Sequence, residues 1–315
     1  MTREEFYRVT RSLTGPEYLA QTLYSLRDLY RARPGQKIPV VWIEVGGCGG
    51  NTISLLNAVG PDLNQILGNL IDLRFQNTLM WAEDDEALRI LKRTTENPQG
   101  FLLLVEGAIA RRDQGKYNFV AIGNRKILTG ASLVAEIAPR ALNIIAVGTC
   151  ASFGGPTAAS PNPSDSVGVG NFLGRKVINV SGCPAHPDWI VGTLAHLLLF
   201  GEPEVDEFGR PLLFYGETVH RRCTRRSFFD RRLFAQKLGD TECMFKLGCK
   251  GPLTHADCPQ RQWNCYVNWP VKANTPCIGC TEPIYPDGME PFFQPPFPLE
   301  EEGGSEEDKE RGGRP

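Results

Sequence analysis

Ile38-Pro-Val-Val-Trp-Ile-Glu-Val45-Gly-Gly-Cys48-Gly-Gly-Asn51-Thr52-Ile-Ser-Leu-Leu56 is the stretch on which the fold turns. Its first eight residues are almost continuously apolar. A strand covered on one face alternates polar and apolar residues, whereas a strand covered on both faces does not. Glycines and one cysteine follow, and from Thr52 to Val59 the apolar spacing turns helical. Strand, Gly-rich loop and helix open a βα unit. Further out, the same kind of apolar run recurs at Gly100–Glu106, Ala141–Gly148 and Lys176–Val180. Helical spacing fills Pro61–Ile71, Glu83–Thr95, Gly130–Ala138 and Asp188–Phe200. This alternation predicts an α/β fold with a parallel sheet. Three of the strands end in Gly-rich loops that hold Cys48, Cys150 and Cys183. Open α/β sheets bind ligands at the carboxyl ends of their strands, so these three thiols can converge although they are far apart in the chain.

On either side of this body the character changes. Residues 1–36 are polar and mixed in sign, with Leu19, Leu23, Leu26 and Leu29 at helical spacing, and are expected to form a helical extension. Residues 37–202 make the α/β domain. Residues 203–299 hold the other seven cysteines, many prolines and few periodic runs, and read as an irregular unit ordered by metal. Residues 300–315 are charged and Gly-rich, the composition of a disordered tail.

The 315 residues are 41% hydrophobic and 22% charged, with a net charge of −2. That balance argues against binding nucleic acid by phosphate neutralisation. No apolar run approaches the ~18 residues of a membrane span; the best, Ile190–Phe200, is interrupted by Gly192 and His196. Met1-Thr-Arg-Glu-Glu-Phe6 shows neither an apolar leader core nor a twin arginine, so a cytoplasmic protein is expected, with any membrane association peripheral and through a partner. In a reducing compartment, ten cysteines read as metal ligands rather than disulfides.

The densest chemical signal is Cys243-x5-Cys249-x8-Cys258 followed by Cys277-Ile-Gly-Cys280, with His220-Arg-Arg-Cys223 upstream. These ligands suit two tetrahedral zinc sites or iron–sulfur clusters, and spacing alone does not separate the two. The first loop lacks the Lys-Ser/Thr ending of a phosphate-binding loop, and Asn51-Thr52 stands there instead. His186, close after Cys183, could pair with a nucleophilic thiol only if the geometry allows it. His196 lies in an apolar run and reads as packed. His255 reads as solvent-facing or beside a metal site.

Taken together, these residues resemble the small, electron-transferring subunit of nickel–iron hydrogenases. The resemblance runs from Val40 to about Pro283. It rests on Trp42-Ile-Glu-x3-Cys48 with Ser54-Leu-Leu, Val147-Gly-Thr-Cys150-Ala-x2-Gly-Gly, and Gly182-Cys183-Pro-x2-Pro-Asp-Trp. It continues through His220-x2-Cys223, Lys246-Leu-Gly-Cys249-Lys-Gly-Pro, Cys258-Pro, and Asn268-Trp-Pro-Val-x5-Cys277-Ile-Gly-Cys280-x-Glu-Pro. The resemblance implies a flavodoxin-like N-terminal domain, a cluster-binding C-terminal domain and three iron–sulfur clusters in a row. These lead from a nickel–iron site in a separate large subunit to an acceptor protein or quinone. It implies a proximal cluster on Cys48, Cys150 and Cys183, and a distal [4Fe–4S] cluster on His220, Cys223, Cys243 and Cys249. A medial [3Fe–4S] cluster would take Cys258, Cys277 and Cys280, with Pro270 near where a fourth ligand would enter. No catalytic residue lies in this chain under that reading. The expected activity is hydrogen uptake by an obligate heterodimer, with higher oligomers open. A hydrogen sensor of the same fold and, remotely, a structural zinc protein are the alternatives.

Departures from the family pattern add expectations. The family usually has Cys-x-x-Cys in the first loop, and here Asn51 takes the second position. The proximal cluster is then either four-iron with a non-cysteine ligand, Asn51 among the candidates, or three-iron. Gln76 and Asn77 fall where the family often has an acid. Gly50 and Gly155 lie where oxygen-tolerant members carry extra cysteines, which excludes that six-cysteine cluster. Glu44 stands beside the proximal loop, with a loop-structuring or a proton role. Cys265 reads as a buried small hydrophobe or as a residue tuning the medial cluster.

Overall fold

The computed structural model describes residues 2–6, 37–59, 61–123 and 126–299. The expected helix over 16–32 and the tail 300–315 lie outside the described residues. Five strands form one parallel sheet: β1 (Pro39–Glu44), β2 (Asp72–Gln76), β3 (Leu102–Glu106), β4 (Asn143–Val147) and β5 (Ile178–Val180), in the order β2-β1-β3-β4-β5. That is the flavodoxin-like order, with its switch point between β1 and β3. The expected α/β class and flavodoxin-like sheet are therefore borne out.

The strands alternate between two buried faces. Val40, Trp42, Leu102, Leu104, Ile145 and Val147 pack on one side. Val41, Ile43, Leu103, Val105, Ile144 and Ala146 pack on the other. Each fully buried aliphatic side chain contributes about 1.5–3 kcal/mol over leaving it exposed. The second face is covered by helices α2 (Asp84–Thr95) and α3 (Gly130–Ile137). The first is covered by α1 (Gly50–Leu56) and α5 (Pro187–Phe200), and the same core runs on without a break into Phe214, Tyr215, Met244 and Trp269. The C-terminal part thus shares its apolar core with the sheet. Among its described residues from 212 to 289, every helical turn is five residues or shorter. Phe6, near the amino end, is buried against His196 and Phe200.

Three elements differ from expectation. β2 is a strand at the sheet edge in which Asp72 and Arg74 interrupt the apolar pattern; charged residues blunt an edge but erase the signal of a strand. The helix expected over Pro61–Ile71 is a single turn at Leu63–Gln65, capped by Asp62, followed by a wider turn at Ile66–Leu70. An antiparallel hairpin, Phe119–Gly123 with Lys126–Thr129, had no counterpart in the sequence reading.

Candidate metal centres

The carboxyl ends of β1, β4 and β5 deliver Cys48, Cys150 and Cys183 to one place. Cys48 leaves β1 by a glycine loop, Cys150 sits in the first turn of α4 (Thr149–Phe153), and Cys183 follows β5. Burial pushes the Cys183 thiol up to about 12, and the neighbouring Cys280, Cys150 and Cys48 add to the shift. Such thiols become thiolates only when a metal cation supplies the compensating charge. The Thr157 hydroxyl stands 3.4 Å from Cys150 Sγ. Gly155 has φ +47°, and a Cβ there would lie 2.9 Å from the Cys150 nitrogen, so the loop leaves no room for a cysteine at this position.

Asn51 is a bridge between loops. Its Nδ2 donates to Glu106 Oε1 at 3.1 Å, and its Oδ1 accepts the Ala185 N–H at 2.8 Å. It packs under Gly148, whose φ is +88°; a Cβ there would fall 2.4 Å from Asn51 Nδ2. The Asn51 amide thus holds the ends of three strands together.

Glu106, which the sequence reading passed over, is the hub of this network. It closes β3 and is 1% exposed. Its carboxylate accepts the backbone N–H groups of Asn51 (2.7 Å) and Thr52 (3.0 Å) at the start of α1, and the Trp42 indole N–H (3.2 Å). In register beside it stands Glu44. The single proton of the Thr52 hydroxyl faces Glu44 Oε1 at 2.6 Å and Glu106 Oε2 at 2.7 Å. One hydroxyl cannot donate to both, so the second contact requires a proton on a carboxyl. Burial raises the Glu106 pKa, with Glu44 adding to the shift. Gln76 donates to Glu44 at 2.7 Å, and Asn77 bonds the Glu44 backbone. The structure therefore gathers Glu44, Gln76, Asn77 and Asn51 around this loop. The signal in the sequence was an acid ending the wholly apolar run Phe101–Val105.

A second group lies in the C-terminal part. Burial pushes the Cys223 thiol up to about 11, with Cys249 and Cys243 contributing. The Arg225 guanidinium fastens the segment between them, donating to the carbonyls of Asp240 (2.7 Å) and Glu242 (2.8 Å). His220 packs edge-on against Phe229 at 4.5 Å, and burial lowers its pKa, keeping the imidazole in the neutral form a metal needs.

The third group is Cys258, Cys277 and Cys280. Burial raises all three thiols. Cys277 also feels Cys249 of the second group, and Cys183 of the first group feels Cys280. This group adjoins both others: Cys183 lines the same cavity, and the N–H of Lys250, next to Cys249, donates to the Cys277 carbonyl at 2.7 Å. The Cys277–Cys280 knuckle is stitched to the sheet. Ser181 Oγ and Arg210 Nη1 donate to the Thr281 carbonyl at 2.8 and 3.1 Å, Arg210 also binds Glu282 at 3.0 Å, and the Thr149 hydroxyl donates to the Cys280 carbonyl. Cys183, Cys258, Cys277 and Cys280 share a cavity of about 490 Å³ with Trp189, Trp269 and Pro270. Sulfur donors and apolar walls fit an iron–sulfur core; Trp269, in those walls, keeps a buried Nε1 without a partner. Among the described residues no three His, Cys, Asp or Glu are gathered tightly enough for a single ion.

The remaining candidates lie elsewhere. Cys265 is exposed, not buried as expected; it sits in a turn where Asn264, Cys265 and Tyr266 all take positive φ. His186 caps α5, accepting the Asp188 N–H at 3.1 Å, with its other nitrogen on the Gln262 carbonyl, and so does not serve as a base for a cysteine. His196 is packed as expected.

Known proteins bear on this geometry. Residues 215–293 match the family model for the C-terminal part of the NiFe/NiFeSe hydrogenase small subunit, and residues 48–197 match NADH ubiquinone oxidoreductase, 20 Kd subunit. Over 276 residues the chain is 42% identical to the periplasmic [NiFeSe] hydrogenase small subunit of Desulfomicrobium baculatum, spanning 82% of this chain and 87% of that one. The chain belongs to the nickel–iron hydrogenase small-subunit family. The periplasmic [NiFe] hydrogenase small subunit 1 of Nitratidesulfovibrio vulgaris is 41% identical over 277 residues, 85% of this chain and 86% of that one. A solved [NiFeSe] hydrogenase from Dm. baculatum superposes with a TM-score of 0.79 at 40% identity, covering 83% of this chain and 100% of that one. Hydrogenase small subunits carry iron–sulfur clusters and pair with a large subunit. The cytoplasmic expectation is overturned: both of these relatives are named as periplasmic. Thiols that bind a metal core need no reducing compartment, so a cysteine count carries no address.

Proposed function

We propose that this chain is the electron-relay subunit of a hydrogen-oxidising nickel–iron hydrogenase and passes electrons from its large subunit to an external acceptor. When bound, the clusters supply one-electron carriers in series. The protein's part is to hold them, orient them and exclude water. Cys48, Cys150 and Cys183 would hold the proximal cluster. Cys258, Cys277 and Cys280 would hold a medial [3Fe–4S] cluster, and His220, Cys223, Cys243 and Cys249 a distal [4Fe–4S] cluster. The proximal set has three thiolates, and a weaker or missing fourth ligand favours the reduced form. That bias draws electrons away from the partner and suits uptake.

The observation that carries the reading is that the group of Cys258, Cys277 and Cys280 adjoins both others: Cys183 lines its cavity, and the N–H of Lys250, next to Cys249, donates to the Cys277 carbonyl at 2.7 Å. Anaerobic purification with the co-purifying partner and metal analysis tests it. About ten or eleven irons per chain are expected from the clusters, with nickel from the partner. About two zincs per chain, without iron or nickel, would overturn it.

A further inference from the structure

The group of His220, Cys223, Cys243 and Cys249 stands in a stretch whose charge is unlike the rest of the chain. The whole chain carries −2, yet residues 217–246 hold eight arginines and lysines against four carboxylates. Glu217 is shared by Arg221 and Arg222, and Asp230 is taken by Arg226 at 2.7 Å. Asp240 accepts the backbone N–H groups of Gln236 and Lys237 at 2.9 and 3.0 Å. Arg231 and Lys246 lie over the rings of Phe228 and Phe234 at 5.1 and 5.2 Å. Among the described residues neither of them, nor Arg232, has a carboxylate partner. These arginines and Lys246 are all exposed. Aromatic rings tie them to the metal group. Arg226 lies over Phe229 at 5.6 Å, and Phe229 touches Phe234 and Phe245 and packs on His220 at 4.5 Å. A cation over a ring face is held in place. Arg232 and Lys246 line one groove with Phe234 and Phe245, and the neighbouring Leu233 is exposed. A basic rim with a few apolar side chains is thus built around the half-buried His220.

We propose that this rim docks an acidic one-electron carrier protein, which takes electrons from the distal cluster. The proposal rests on reading His220, Cys223, Cys243 and Cys249 as the distal ligands of a hydrogen-oxidising complex. Each hydrogen molecule split in the large subunit yields two protons and two electrons. The distal cluster gives up one electron and one carrier takes it, so two carriers are reduced per hydrogen. A basic rim speeds encounter with an acidic partner and slows encounter with a basic one. A small, charge-steered contact suits a carrier that must leave after each electron. An anionic lipid surface would meet the same charges but would accept no electron, and the placing of the rim around His220 would then serve nothing.

The test uses the complete heterodimer with its clusters. Under hydrogen, it follows reduction of the acidic copper protein plastocyanin and of the basic haem protein cytochrome c. Rates are divided by the rate with benzyl viologen, a small dye that needs no dock. Between about 10 and 200 mM salt, the plastocyanin rate is expected to fall about tenfold and the cytochrome c rate to rise. At low salt, Arg221→Glu together with Arg232→Glu should slow plastocyanin about tenfold and speed cytochrome c. The neutral pair Arg221→Gln with Arg232→Gln should fall between wild type and the reversed pair, and it decides if the reversed pair does not fold. The same sign of salt dependence for both carriers, or a plastocyanin rate unchanged in the variants, would overturn the dock and leave the relay reading standing. Capture of the heterodimer by phosphatidylserine vesicles, with no preference between the carriers, would overturn it in favour of a lipid surface. No hydrogen-driven reduction of any acceptor, the dye included, by a complex loaded with iron and nickel would overturn the relay reading, and the proposal with it.

Discussion

The sheet half and the knuckle half of this chain position cysteines by different physics. In the sheet half, Cys48, Cys150 and Cys183 hang from strand ends whose backbone pairing and two-sided burial exist without any metal. Asn51, Glu106 and Gly148 lock the loops to one another. In the knuckle half, Cys258 sits in a helical turn of four residues, Cys223, Cys243 and Cys249 flank turns equally short, and Cys277 and Cys280 lie in irregular chain. These segments are held by cations on carbonyls and carboxylates: buried Arg210 on Thr281 and Glu282, half-buried Arg225 on Asp240 and Glu242, and buried Arg261 on Asp257 and Asp188. A scaffold of this second kind is completed by what its thiols bind, while the first needs only its own core.

The largest consequence is a difference in how the halves respond to loss of iron. Chelation under reducing conditions should raise amide hydrogen exchange across residues 217–289 by about two orders of magnitude, while β1, β3 and β4 stay protected. Exchange measured peptide by peptide checks this. Equal loss of protection in both halves would show that the shared core of Phe214, Tyr215, Met244 and Trp269 makes one cooperative unit, and the contrast would fail.

Next in size is Arg210→Met. Arg210 is 1% exposed and pairs with Asp206 at 2.7 Å and Glu282 at 3.0 Å. Removing one partner from a buried ion pair costs about 3–5 kcal/mol, because the other charges stay buried. The Glu282 carboxylate also accepts the His255 N–H at 2.6 Å, so the Cys277–Cys280 knuckle should loosen first. The expected result is a lower melting temperature together with loss of medial-cluster iron. A melting temperature that falls while medial iron is fully retained would mean that Arg210 supports the sheet rather than the knuckle.

The same contrast explains what could be read from the sequence. Val40–Ile43 and Leu102–Val105 announce strands because burial on both faces leaves a solid apolar run, and the loops after them follow from the topology. Asp72–Gln76 stayed hidden because an edge strand carries charges. In the knuckle half, spacing showed that Cys277 and Cys280 act together. Which other thiols join them depends on tertiary folding, and the grouping came from the family resemblance. Glu106 and Trp269 were missed for a related reason. Each looks like an ordinary strand or core residue until its partners, or the lack of one, can be seen.

The smallest expected effect sharpens the account of the sheet half. Glu106→Gln keeps size and shape but presents an amide NH₂ where the N–H groups of Asn51, Thr52 and Trp42 need acceptors, at a cost of about 1–3 kcal/mol. The pH dependence separates this from a generic loss. Burial raises the Glu106 pKa above its ordinary 4.5, so the folded chain binds this proton more tightly than the unfolded chain. By linkage, stability from this group is greatest at low pH and falls as pH rises from 4.5 through the raised value, then levels off. The amide in the variant does not titrate, so the difference in melting temperature between wild type and variant should shrink as pH rises through that window. Parallel curves would mean that Glu106 is ionised throughout. The second short contact of the Thr52 hydroxyl, between Glu44 and Glu106, would then have no proton to hold it.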